Sequence, residues 1–294
     1  MMQTETETRA WLKLALVPGL KMPEILTLLK RMESPEAIWD AGYGTLVKAA
    51  GEETARRIRS AKVDDALENT ERWLSETPNS GFLTIADENY PTLMIEAGVA
   101  PLVLFTRGNQ SLLRRPSLTT AGSARPDAEG KENAEAFGEA LARRSVTLSA
   151  GLFPGVETQF IEGAVLRAGK PAILWGATGP DRIWPQENRA LLTAALAAGG
   201  LLVTPFAPGS GISERAVGLQ AAYRMAASMA LLVIRASSRS HALKLAKQAA
   251  DWGRDVFAVP GSIHAPQSKG CHRLIRDGAK LVESADEIVE EFMH

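Results

Sequence analysis

The 294-residue sequence holds one cysteine, Cys271, so no internal disulfide can form, and its four histidines build no Cys/His cluster with metal-ligand spacing. Long hydrophobic runs are missing too: "MALLVI" at 229–234 is far short of the ~20 residues a membrane-spanning helix needs. The acidic start "MMQTETETRA" does not fit an export signal. These absences make a reducing cytoplasm the expected compartment, with no membrane partner. Catalytic templates are lacking as well. There is no P-loop, no G-x-S-x-G and no G-x-G-x-x-G after a strand, and Cys271 beside His272 puts its side chain away from its neighbour on any regular element. A non-enzymatic protein without a cofactor is expected.

Excess charge of one sign is also absent. A net charge of −1 argues against a broad basic surface. Residues 1–110 hold 12 Lys/Arg against 16 Asp/Glu and residues 111–294 hold 21 against 18, so −4 faces +3. That split permits a local basic groove in the second part. Otherwise the chain is 45% hydrophobic and 23% charged, as in ordinary globular proteins, and long enough for one good core plus a smaller unit.

Short helices are predicted from about 8 to 60, including "TRAWLKLALV", "MPEILTLLKRM", a helix opened by Ser34-Pro35 and one through "EETARRIRSAK". Helix, Pro18-Gly19-Leu20 turn, helix is either a packing module or a hairpin holding a DNA backbone through turn amides; Lys21 stands where such a hairpin has its second glycine. Beyond two extended segments around Tyr90-Pro91, strands are expected at 117–122, 145–150, 171–177, 200–206, 229–236 and 255–261. Helices are expected near 130–143, 157–168, 187–198, 212–226 and 239–252. Near-continuous apolar strands alternating with amphipathic helices mean a doubly wound α/β, mostly parallel sheet covered on both faces. Ligands bind such sheets beyond the strands' carboxyl ends.

The loops at those ends carry the candidate residues. Gly122, Ser123 and Arg125 offer a close backbone approach, a hydroxyl and a forked cation to an anion. The turn from Gly151 to Glu157 has the outline of a phosphate-binding loop, yet Pro154 removes one amide donor and Glu157 would itself complement the following helix, so a structural turn is the better expectation. In "GPDRIWPQENR", Arg182, Asn188 and Arg189 surround Trp184. Trp184 either contacts a base or covers the sheet end, and Asn188 either contacts the ligand or caps a helix. Arg215 and Arg224 complete the set of possible anion contacts.

The order of segments resembles the DNA-processing protein A (DprA, or Smf) family. The resemblance rests on "LALVPGL", "YPTLMIEAGVAPLVLFTRGN", "GPDRIWPQENR" and above all "GRDVFAVPGSIHAPQSKGCHRLIRDGAKLVESADEI". It implies a sterile-alpha-motif-like helical domain (1–75), a connector (76–115) and an extended Rossmann domain (116–294), with the C-terminal winged helix of some members not expected. It further implies single-stranded DNA binding, loading of the RecA recombinase during natural transformation, and a homodimer formed through the Rossmann domain. Departures fall in the pocket. The family's Gly-Ser-Arg reads Gly122-Ser123-Ala124, with Arg125 as the substitute. Its Ser-Gly-Leu-Ala-Arg-Gly-Ile-Asp and following His read Gly151 to Glu157 and Ile161. Its Phe-Pro-x-Arg-Asn-Arg, which contacts phosphates and a base, reads Val217 to Ala222, and its Ser-Gly-Ser/Thr turn reads Ser240-His241-Ala242. The competing expectation is a diverged paralogue whose altered pocket serves protein interaction or nucleotide sensing. A third, hydrolysis of nucleoside monophosphates as in phosphoribohydrolases of similar architecture, lacks the Pro-Gly-Gly-x-Gly-Thr loop it would need.

Overall fold

The computed structural model describes residues 5–292. Six helices come first: α1 (Glu5–Leu16), α2 (Met22–Met32), α3 (Pro35–Asp40), α4 (Tyr43–Ala50), α5 (Glu52–Ser60) and α6 (Asp64–Glu76). The Ser34 hydroxyl accepts the Ala37 amide at 3.1 Å and starts α3. Trp11, Leu12, Leu28, Ile38, Leu46 and Trp73 from these helices close one hydrophobic core. In the Pro18-Gly19 turn, the Gly19 carbonyl accepts from Arg57 at 3.0 Å and the Lys21 amide donates to the Glu24 carboxylate at 2.7 Å. A carboxylate already sits on the amide that would have to hold a phosphate, so the geometry favours packing for this turn.

The rest of the chain builds one nine-stranded sheet in the order β1-β2-β6-β5-β4-β3-β7-β8-β9. Its strands are β1 (Ser80–Thr84), β2 (Val103–Gly108), β3 (Ser117–Gly122), β4 (Thr147–Gly151), β5 (Ala172–Trp175), β6 (Leu201–Thr204), β7 (Ala230–Ile234), β8 (Asp255–Ala258) and β9 (Lys280–Leu281). Strands β3 to β9 are mutually parallel, as their buried apolar sequences predict, while β2 lies antiparallel to β6 and β1 to β2. The stretch read as a connector thus widens the sheet. Phe105 of β2 meets Trp73 of α6 edge-on, with ring centroids 6.4 Å apart, and seats the helical module on that side.

Helices α7 (Thr92–Glu96), α8 (Ala128–Arg143), α9 (Val156–Glu162), α10 (Arg189–Ala197), α11 (Glu214–Ala226), α12 (His241–Asp251), α13 (Lys269–Arg276) and α14 (Ala285–Phe292) complete the chain. A single π turn, Gly163–Arg167, continues α9. Leu118, Leu148, Leu174, Leu202 and Leu232 pack against α8 and α9 on one face, and Leu231 and Val233 meet α11 to α13 on the other. Burying each such side chain stabilises the fold by ~1.5–3 kcal/mol. Strand order reverses between β3 and β7, which creates the switch point where ligands of such sheets bind. No described helix is long and apolar enough to cross a membrane.

Candidate nucleic-acid interface

The seven parallel strands all end on one edge, and the six that carry the candidate loops lie side by side in the order β6, β5, β4, β3, β7, β8. With five gaps of about 4.8 Å the edge is about 24 Å wide. Every loop on it is bonded to the next. Gly209 donates to the Asp181 carboxylate at 2.8 Å, Asn188 Nδ2 donates to the Leu152 carbonyl at 2.7 Å, and the Val156 amide donates to the Ser123 carbonyl at 3.1 Å. On the far side the Ser123 amide donates to the Arg235 carbonyl at 2.7 Å, and the Gly270 amide donates to the Ala236 carbonyl at 2.7 Å.

At the switch point the loop after β3 is shaped by close backbone approach. A Cβ on Gly122 would collide with the Ile234 carbonyl, and one on Gly155, whose φ is +93°, with the Ser123 carbonyl. The Ser123 hydroxyl accepts the Arg125 amide at 3.1 Å, closing a tight turn that leaves the Arg125 side chain exposed. Behind it lies Arg235, 4% exposed, whose guanidinium meets Asp127 at 2.9 Å, Glu129 at 2.5 Å and the Ser268 hydroxyl at 2.7 Å. Asp127 also caps α8 by accepting the Gly130 amide at 2.8 Å. Gln267 donates to the Arg125 carbonyl at 3.0 Å, tying the loop after β8 to the same turn.

The turn after β4 corrects one expectation. Arg224, expected to reach an anion, is 1% exposed and grips Glu157 through two bonds, of 2.5 and 2.9 Å. The Gly151 amide donates to the same carboxylate at 2.8 Å. Glu157 therefore neutralises a buried arginine as well as standing in the first turn of α9. Burial favours this bidentate geometry because the guanidinium, 1% exposed, has no water to turn to.

Asn188 is a second correction. It is buried, and its amide nitrogen bonds the Leu152 carbonyl and the Thr158 hydroxyl, at 2.7 and 3.0 Å, so it neither caps α10 nor faces solvent. Arg182, Arg189 and Arg215 are exposed. Trp184 is 38% exposed and meets Phe153 edge-on, with centroids 5.5 Å apart.

Of the candidate side chains, Ser123, Arg125, Arg182, Arg189 and Arg215 lie on the carboxyl edge within reach of solvent, Gly122, Gly151 and Gly155 shape its backbone, and Asn188 and Arg224 are structural. Sequence reasoning missed exposed Arg239 on the loop after β7, exposed Lys269 at the start of α13, and buried Arg235. Their signal was position alone: each follows a strand's end. Cys271 is fully buried, with its thiol pushed up by that burial, which suits a packing residue. Among the described residues no cluster could hold a metal ion.

The model of the family described as DNA recombination-mediator protein A matches residues 81–293. The chain belongs to this family. It is 34% identical over 211 residues to the DNA processing protein DprA of Streptococcus pneumoniae, covering 71% of this chain and 73% of that protein. It is 28% identical to Protein Smf of Escherichia coli over 291 residues, 97% of this chain and 75% of the relative. The solved S. pneumoniae DprA superposes with a TM-score of 0.81 at 28% identity over 99% of both chains. A structure of DNA processing protein A from Helicobacter pylori, described for its single-stranded DNA binding mode, shares the fold with a TM-score of 0.63 at 18% identity, over 73% of this chain and 95% of that one. The role of this DprA-family chain is a DNA-processing one. Within the DprA fold, Val217 to Ala222 lie on α11 without a cation or a ring, Ile161 is core, and the Ser240 hydroxyl accepts the Ala242 amide to start α12.

Proposed function

We propose that the chain binds single-stranded DNA along the carboxyl edge of its sheet and delivers it to a RecA-type recombinase in the cytoplasm, acting as a binder and not as an enzyme. The observation that carries this is the edge itself: Arg125, Arg182 and Arg239 on its loops, and Arg189, Arg215 and Lys269 in the first turns of α10, α11 and α13, are exposed above a set of loops bonded to one another. Phosphates of a flexible strand can follow such a line of cations, and a rigid frame lowers the ordering cost of binding. The binder reading also fits Glu157, the carboxylate nearest the turn after β4, which is held by Arg224 and the Gly151 amide and not poised for acid or base work. A homodimer through the Rossmann domain would form at the sheet's open edge, where β9 has no outer neighbour and leaves Leu281 41% exposed.

The test is fluorescence anisotropy of a labelled single strand across a salt series, beside a duplex control. Single-strand-preferring binding that weakens with salt supports the reading, and no binding at low salt ends it. The self-neutralised Glu157–Arg224 pair favours the second reading, a paralogue whose pocket serves a protein or nucleotide partner, and that second outcome would promote it.

A further inference from the structure

We infer that Phe153 and Trp184 together form the surface on which unstacked bases of the bound strand rest, an inference that builds on the single-stranded DNA reading above. The two rings come from different loops, after β4 and β5, and meet with centroids 5.5 Å apart and planes at 68°. An edge-to-face contact of this kind covers one ring face and leaves the others open. Trp184 is 38% exposed, although a ring of its size gains from burial, and Phe153 is half-buried.

The rings are held and not merely left outside. Thr158 Oγ1 donates to the Phe153 carbonyl at 2.6 Å and accepts from Asn188 Nδ2 at 3.0 Å, while the same nitrogen donates to the Leu152 carbonyl at 2.7 Å. Asn188 thus clamps the turn carrying Phe153 to the loop carrying Trp184. Phe153 is seated over Gly151, where an added Cβ would lie 2.9 Å from its ring. A base arriving here meets rings already in place, so little side-chain freedom is lost on contact.

Charge identifies the occupant. Arg182, 61% exposed and 3.7 Å from the Asp181 carboxylate, lies on the same loop as Trp184, and Arg189 opens the helix that follows it, so a ring surface is flanked by cations. Rings take any base and cations take the phosphates, which is the chemistry of sequence-tolerant single-strand binding. Segment 217–222, which stands where the resemblance puts the family's base-contacting segment, has no ring to offer. The aromatic contact has a different address in this chain, across the switch point's β4–β5 side.

The experiment compares an oligodeoxythymidylate strand with an abasic strand of equal length, using the full chain and its Trp184→Ala, Phe153→Ala and Trp184→Phe variants. Trp184→Ala and Phe153→Ala are expected to bind the base-containing strand roughly 5- to 150-fold more weakly with an unchanged salt slope. On the abasic strand they should match the wild type, and Trp184→Phe, which keeps a ring, should lie near it on both. Equal binding of wild type and Trp184→Ala to the thymidylate strand overturns the base platform while leaving DNA binding intact. Loss on both strands overturns it as well, since the rings would then act only through the fold. If the wild type binds neither strand, the single-stranded DNA reading itself falls, and the platform with it.

Discussion

Arg224 and Glu157, 67 residues apart in sequence, form a buried two-bond ion pair beneath the turn that follows β4. Removing one partner strands the other charge away from water. Glu157→Gln is therefore expected to cost about 3–5 kcal/mol, because a guanidinium 1% exposed is left without its counter-ion. A Glu157→Leu/Arg224→Leu double variant should recover part of that loss. Urea denaturation checks both, and a double variant no more stable than the single would show that the charges are not coupled.

Arg125 should behave as a phosphate contact. Its side chain stands free of the turn that its own amide closes with Ser123. Arg125→Ala is expected to lower the slope of log K against log salt by about 0.7, the share of one single-strand phosphate. Binding measured from low to moderate salt reads this directly, and an unchanged slope would remove Arg125 from the interface.

Gly155→Ala tests the backbone contact at the switch point. At φ +93° and ψ −134° an alanine is strained by ~1–3 kcal/mol, and its Cβ would also press on the Ser123 carbonyl. We expect a lower thermal midpoint and weaker strand binding together, because the displaced atoms belong to the loop bearing Arg125. A variant with normal stability and binding would mean that the loops move independently.

Alkaline pH should weaken the fold through Tyr90. Its phenol is buried, donates to the Pro101 carbonyl at 2.5 Å, and is pushed well above its ordinary value by burial and then by Tyr223. Above about pH 10 the unfolded phenol loses its proton while the folded one keeps it, so stability is full below that value and falls as pH rises further. Tyr90→Phe should flatten the alkaline limb and cost about 1 kcal/mol at neutral pH for the lost hydrogen bond. Chemical denaturation at a series of pH values from 7 to about 11, spanning the phenol's ordinary titration range, distinguishes the two effects.

The fold was legible where one physical rule dominates. Strand β3 was expected at 117–122 and spans Ser117–Gly122, because a run buried on both faces leaves only apolar or small residues until the turn. Helix α8, expected near 130–143, spans Ala128–Arg143, begun by the Asp127 cap. Helices α4 and α6 escaped notice, since α4 is short and α6 carries five acidic residues among its 13. The site was legible by position and less so by side chain. Arg125, Arg182, Arg189 and Arg215 face solvent as their loops implied, but Arg224 sits on the inner face of α11, and nothing local to it reveals the carboxylate it meets. Arg235 follows the five apolar residues of β7, and its partners Asp127, Glu129 and Ser268 come from distant parts of the chain, a closure only the tertiary fold supplies.

The bonds that link one edge loop to the next have a consequence for how this surface can diverge. Apart from the exposed Asp181, which accepts the Gly209 amide, they run between backbone groups or through the buried Asn188, so the outward-pointing arginines carry no share in these links. Such a surface can lose a cation at one site and acquire another beside it without rebuilding any turn. Exchanging an exposed side chain such as Arg125 or Arg189 is then a change of chemistry on an unaltered backbone. The identity of the ligand can persist while the residues that hold it are replaced one after another.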